Sequence, residues 1–178
     1  MIFINSTSNN IGSRLIRWGR ESESSHFAIG FGDYKDPCTL IVHSQLNRGV
    51  HPVWLKDFEK NNRIISILKI DIEADQMLEA YNALVKEIGG ADYDNDAIGF
   101  WVLVSLMQKV ANIAMPPKNR FGKKDDFYCV EVLWGIRGIL RKLGFDIPND
   151  RKFFESMDPQ DAYEWLKQSD FVYEVPVE

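Results

Sequence analysis

Two short stretches decide the reading: Ser24-Ser25-His26-Phe27-Ala28-Ile29-Gly30 and Phe127-Tyr128-Cys129-Val130-Glu131-Val132-Leu133. The first reads as a strand with a histidine near its start. The second reads as the first turns of a helix that carries a cysteine. A free cysteine is mostly protonated at neutral pH, with an ordinary pKa of about 8.5. Its thiolate is the nucleophile, and a neighbouring imidazolium and the positive end of a helix dipole both favour it. A histidine on a rigid strand can take the thiol proton and later return it to a leaving group. Backbone N–H groups in the first helical turn can bind a developing oxyanion. A structural reading stands beside this one. Cys129, Val132, Ile136, Ile139 and Leu143 follow one apolar helical stripe, where a small buried cysteine is ordinary core.

The loop Asp33-Tyr34-Lys35-Asp36 sets the register of the strands around it. A four-residue connection pairs Gly32 with Pro37, which places His26 opposite His43 on one face. Ala28, Gly30 and Gly32 share that face and are small, so it is expected to receive the cysteine helix. Phe27, Ile29 and Phe31 point the other way. His43 can then orient the His26 imidazole, the role of a third triad member, or simply be satisfied by a carbonyl. If the Gln45–Arg48 loop closes a hairpin, His51 falls on the face opposite His43, at the surface. Three histidines and a cysteine offer no close ligand pair with zinc spacing, so neither a metal nor a cofactor is expected. Glu131 lies about 200° round the helix from Cys129 and is expected to make structural hydrogen bonds. Gly30-Phe31-Gly32 precedes a turn and not a helix, so it is no phosphate loop.

Further strands are expected at Ile2 to Ile4, Leu40 to His43, Val50 to Trp54, Ile64 to Ile70 and Phe171 to Val175. Ile11 to Trp18 reads as a helix capped by Asn9 or Asn10, with Ile11, Leu15 and Trp18 on one face. Met77 to Ile88 is amphipathic and stops at Gly89-Gly90. Ala97 to Ala111 reads as a buried helix, and Pro116-Pro117 stops what precedes it. The cysteine helix is expected from Phe127 to Leu143, capped by Asp125 and Asp126. Asp158-Pro159 starts the last helix. Strands cluster early and helices late, which predicts α+β with an antiparallel sheet.

At 178 residues the chain fits one domain over 1–178, with 45% hydrophobic and 26% charged residues. A net charge of −5 argues against a nucleic-acid surface. The two cysteines, Cys38 and Cys129, are expected as free thiols, since a bridged secreted domain would carry more. The N-terminus lacks a basic region and a long apolar run, so no signal peptide is expected. The longest apolar run, Ala97 to Met107, is too short to span a bilayer. A cytoplasmic protein, or one delivered without a classical signal peptide, is the expectation.

The stretches "SHFAIGFG", "LIVHSQLNRGV", "YDNDAIGF" and "FYCVEVLWGI", in that order, resemble the circularly permuted papain-like thiol hydrolases of the NlpC superfamily, in particular the YiiX-like branch. The resemblance runs from about residue 2 to residue 145. It departs at Val130, where the family often has serine, and at His43, where the branch often has glutamate. It implies a papain-like α+β fold and a triad of Cys129, His26 and His43. It also implies an acyl-enzyme route on peptide or amide bonds, including those of cell-wall peptides. An acyltransferase or lipid hydrolase on the same fold, like the lecithin retinol acyltransferase relatives, stays open. So does a non-enzymatic binding or structural module.

Overall fold

The computed structural model describes residues 1–45, 48–92, 127 and 129–177. The first half of the chain makes β1 (Ile2–Thr7), α1 (Ile11–Arg20), β2 (His26–Phe31), β3 (Leu40–Gln45), β4 (Gly49–Trp54), α2 (Leu55–Phe58), β5 (Arg63–Ile70) and α3 (Ala74–Ile88). The second half makes a 3-10 turn (Cys129–Glu131), α4 (Val132–Gly135), α5 (Arg137–Lys142), α6 (Lys152–Glu155), α7 (Pro159–Lys167) and β6 (Val172–Val175). The strands form one six-stranded sheet in the order β4-β3-β2-β1-β5-β6. Every pair in it is antiparallel. Pro52 is tolerated because β4 lies at the edge. The expected helix over Ala97 to Ala111, the Asp125 and Asp126 cap and Tyr128 lie outside the described residues.

Local signals set the helix starts. The Asn10 side chain accepts from the Ser13 N–H at 2.7 Å. The Asp158 side chain accepts from the Asp161 N–H at 2.8 Å, with Pro159 opening the helix behind it. Glu73 and Gln76 form a capping box at α3. The face of α1 differs from the expected one: Ile16 and Ser13 turn inward, while Ile11 and Trp18 are exposed. The Ser13 hydroxyl bonds that of Ser8 at 2.8 Å, which holds the helix in that rotation.

The sheet carries an apolar layer on each face. Phe3, Phe27, Ile29, Val42, Leu68 and Ile70 pack against α3 and the helices of the second half. Ile2, Ile4, Ala28, Ile41 and Ile67 pack against Leu55 and Phe58 of α2. The face with the bulkier aromatic side chains takes the thicker helical layer, as burial of apolar area favours.

The expected continuous helix from Phe127 to Leu143 is instead three short pieces. Two glycines, Gly135 and Gly138, weaken helical preference there, and Ile136 sits off the helical region at φ −106°, ψ 10°. Gly135 has a packing reason. A Cβ on it would lie 3.0 Å from the Leu84 Cα, so its absence lets α3 approach α4. Gly138 has open space around it. Gly135→Ala should therefore destabilise the fold by about 1–3 kcal/mol through overpacking. Gly138→Ala should stabilise it by up to about 1 kcal/mol through helix propensity. Urea melts of the two variants check the opposite signs; equal shifts would mean that the α3 contact does not constrain Gly135.

Candidate active site

Alternation along β2 sends His26 and Ala28 to the α2 face and Phe27 and Ile29 to the helical face. The neighbouring strand pairs through Ile29↔Val42, Gly30↔Ile41 and Phe31↔Leu40. This is two residues away from the expected register. The cause is a second turn in the loop: Asp36 N–H donates to the Asp33 carbonyl at 3.1 Å, and Thr39 N–H to the Asp36 carbonyl at 2.9 Å. Pro37 to Thr39 thus belong to the loop. A shift of two preserves the face of every side chain, whereas a shift of one would not. His26 and His43 therefore still share a face, as diagonal neighbours, and their rings meet: His26 Nε2 lies 2.9 Å from His43 Nδ1.

The β2–β3 ladder stops at Ile29 and Val42, and His26–Ala28 and His43–Gln45 continue beyond it as a fork. The cysteine segment is fastened to this fork from the helical side. The Ser44 hydroxyl donates to the Phe127 carbonyl, and the Phe127 N–H donates to the Asp92 carbonyl at 2.9 Å. The N–H groups of Phe27, Cys129 and Val130 face the Cys129 sulfur. The sulfur thus reaches β2 one residue after His26, but from the opposite face. Among the described residues no hydrogen bond joins it to an imidazole.

This corrects the expectation that the small residues of β2 make room for the cysteine helix. A Cβ on Gly30 would lie 2.4 Å from Ile2 Cγ1 and 2.9 Å from Ile41 Cδ1. Side chains of the sheet itself fill the space beside Gly30. Electrostatics differ from expectation too. Cys129 is 3% exposed. Burial pushes its thiol up to about 12, against the pull of the three N–H groups, and the Glu131 charge adds to the rise. The resting site holds a thiol, not a thiolate. Glu131 has the structural role expected of it: it is buried and accepts from Arg151 Nε at 2.8 Å. The Arg151 guanidinium also covers the Phe127 ring, at 3.8 Å from its centroid. Both cysteines are free, Cys38 exposed and Cys129 buried.

His51 is the residue that sequence reasoning misplaced. Gln45 pairs with Gly49, one residue tighter than a Gln45–Arg48 loop allows. That single step brings His51 directly opposite His43, on the same face. Their ring centroids are 4.7 Å apart. Phe58 of α2 closes over the group, its ring 5.2 Å from that of His43 and 6.0 Å from that of His26. Ser44 was missed outright; its only signal is a second polar residue inside the apolar run of β3. Burial and the His51 charge lower His26 to about 4. Burial, then the charges of His26, His51 and Arg48, lower His43 to about 2. His43 Nε2 and His51 Nε2 are buried without a hydrogen-bond partner among the described residues. Among the described residues no three His, Cys, Asp or Glu side chains converge on a metal position. Among them, also, no helix is long and apolar enough to cross a membrane.

No family model matches the chain. No curated protein matches it either. A solved structure does: the chain is similar to the metalloprotein YiiX of Escherichia coli O157:H7 (DUF1105), with 15% identity and a TM-score of 0.60, over 99% of this chain and 96% of that one. YiiX has the papain-like, NlpC-type fold. At that identity the likeness carries the fold alone: α+β, with a six-stranded antiparallel sheet and helices.

The two lowered imidazoles make a stability prediction. Between the ordinary histidine value of about 6.5 and their folded values, the unfolded chain binds protons that the folded chain does not. Their contribution is therefore present above pH 6.5 and is lost as pH falls below it. Each histidine steepens the loss by up to about 1.4 kcal/mol per pH unit. Denaturant melts from pH 7 to pH 4.5 should show this slope, and His43→Gln should flatten it. An unchanged slope in the variant would mean that His43 is not held neutral.

Proposed function

We propose that this chain is a cysteine hydrolase of amide or peptide bonds, with Cys129 as nucleophile, His26 as base and acid, and His43 as the residue that orients His26. The observation that carries this reading is the 2.9 Å contact between His26 Nε2 and His43 Nδ1, made beside the strand residue whose N–H faces the Cys129 sulfur. It occupies one ring nitrogen of His26 and leaves Nδ1 for a thiol proton. The YiiX-like fold supports the reading at the level of architecture.

On this reading the Cys129 side chain turns from the core toward the fork to meet His26. With burial raising the thiol and lowering the imidazole, forming an ion pair beforehand is uphill. The proton therefore leaves for His26 Nδ1 as the sulfur bonds to the carbonyl carbon. The N–H groups of Cys129 and Val130 supply donors for the oxyanion. His26 then returns the proton to the leaving amine, which departs as the acyl-enzyme forms. Water attacks next and gives a proton to His26; collapse releases the acid, and His26 returns that proton to the departing sulfur as the free thiol.

A second reading is favoured by one observation, the buried neutral thiol: a non-enzymatic module that keeps the fold. The metal of YiiX is not carried over. Two orphaned ring nitrogens, without a converging third donor among the described residues, do not make a metal set.

Turnover of a panel of short peptide, amide and ester substrates separates the readings. Cys129→Ala should lower kcat/KM at least about 1000-fold, because nucleophile and base act as a unit. It should cost only about 1 kcal/mol in stability. Cys38→Ala should change neither. Hydrolysis unaffected by Cys129→Ala, or none by the parent protein, would sink the catalytic reading.

A further inference from the structure

His51 is not needed for the triad just described, yet the sheet aims it at His43. Its Nδ1 lies 3.0 Å from the Gly49 carbonyl oxygen. A carbonyl oxygen can only accept, so Nδ1 is the protonated nitrogen. In neutral His51 the other nitrogen, Nε2, is therefore a bare lone pair. That lone pair is buried and has no donor among the described residues.

His43 has the complementary problem. Its Nδ1 shares one proton with His26 Nε2. If His26 is to receive a thiol proton at Nδ1, its Nε2 must carry the hydrogen. His43 Nδ1 then accepts, and His43 Nε2 must itself be protonated. That N–H is buried without an acceptor, and His43 is 3% exposed. The two rings that carry these groups, one donor and one acceptor, lie opposite each other across the β3–β4 ladder. The reach is short enough. The hydrogen-bonded rings of His26 and His43 have centroids 5.1 Å apart, while those of His43 and His51 are only 4.7 Å apart, tilted by 48°. Joining the two nitrogens asks for a side-chain adjustment of these neighbouring rings.

We infer that His51 is a positioning residue: its Nε2 accepts the His43 Nε2–H and so fixes the tautomers of His43 and His26, leaving His26 Nδ1 bare. The chain of donors runs from His26 through His43 and His51 to the Gly49 carbonyl. No proton travels along it. The thiol proton moves to His26 Nδ1 and back out to the leaving group, and neither His43 nor His51 takes it up. The pair is also consistent with its surroundings. Phe58 packs in an edge contact with the His43 ring, and the Arg48 charge opposes a second proton on it. The functional meaning of this order rests on the hydrolase reading; the tautomers are also set from the other end, by the Gly49 carbonyl that leaves His51 Nε2 as an acceptor.

Imidazole ¹⁵N spectra test it, and the chain has only three histidines to assign. At pH 8, above the ordinary histidine range, the full-length protein should show His26 and His43 protonated at Nε2 and His51 protonated at Nδ1. His51→Leu should reverse both His26 and His43, because His43 Nε2–H loses its acceptor. It should also lower kcat/KM by about 100-fold or more at unchanged KM, the cost of a mis-set tautomer. His51→Gln, whose side-chain oxygen also accepts, should restore the parent tautomers and most of the rate. A parent spectrum with His43 protonated at Nδ1 would overturn the proposal without any variant. So would tautomers that stay the same in His51→Leu. Correct tautomers in a protein without turnover would leave the network standing and remove the hydrolase reading instead.

Discussion

The site depends on where the β2–β3 ladder ends. Paired strands leave no way through a sheet, because every backbone group between them is engaged. Past Ile29 and Val42 that engagement stops, and two things use the opening. From one side the Phe127 carbonyl takes the Ser44 hydroxyl, which carries Cys129 up to the Phe27 N–H. On the other side His26 and His43 bridge the fork with their rings. A thiol and a pair of imidazoles are thus brought to one stretch of strand by elements that lie on opposite faces.

Burial on both faces then controls the chemistry. It holds His26 and His43 neutral and the Cys129 thiol protonated. A neutral site tolerates an apolar environment far better than an ion pair would. It also means that a thiolate is not preformed at Cys129. The three N–H groups around the sulfur lower the cost of its anion, but burial outweighs them. On the proposed hydrolase reading, chemistry at Cys129 has to coincide with entry of a substrate carbonyl that takes the developing charge.

Much of the architecture is legible in local sequence. Asn10, Asp158-Pro159 and the alternation of Phe27, Ile29 and Phe31 each signal an element whose physics is local, and each is where it was expected. The shared face of His26 and His43 was legible as well, because strand parity survived a two-residue error in register. What failed was long-range or length-sensitive. The second turn at Pro37 to Thr39 depends on the Asp36 side chain, which accepts from the Cys38 N–H at 2.8 Å. The face of His51 turned on a single residue of loop length. The docking side of the cysteine segment turned on whether Ile2 and Ile41 fill the space beside Gly30, a contact between three strands that no periodicity encodes. The broken helix after Cys129 had a visible sign in Gly135 and Gly138, outweighed by the apolar stripe.

The central claim is that Cys129 and His26 work as one site despite their opposite faces. A bifunctional alkylator tests it most directly. 1,3-Dibromoacetone joins a thiol to an imidazole only when the two can approach within a three-carbon span. Treated protein, digested and read by mass spectrometry, should give a Cys129–His26 cross-linked peptide, absent from the Cys129→Ala and His26→Gln variants. Adducts confined to the exposed Cys38, with Cys129 unmodified in the folded protein, would contradict the account.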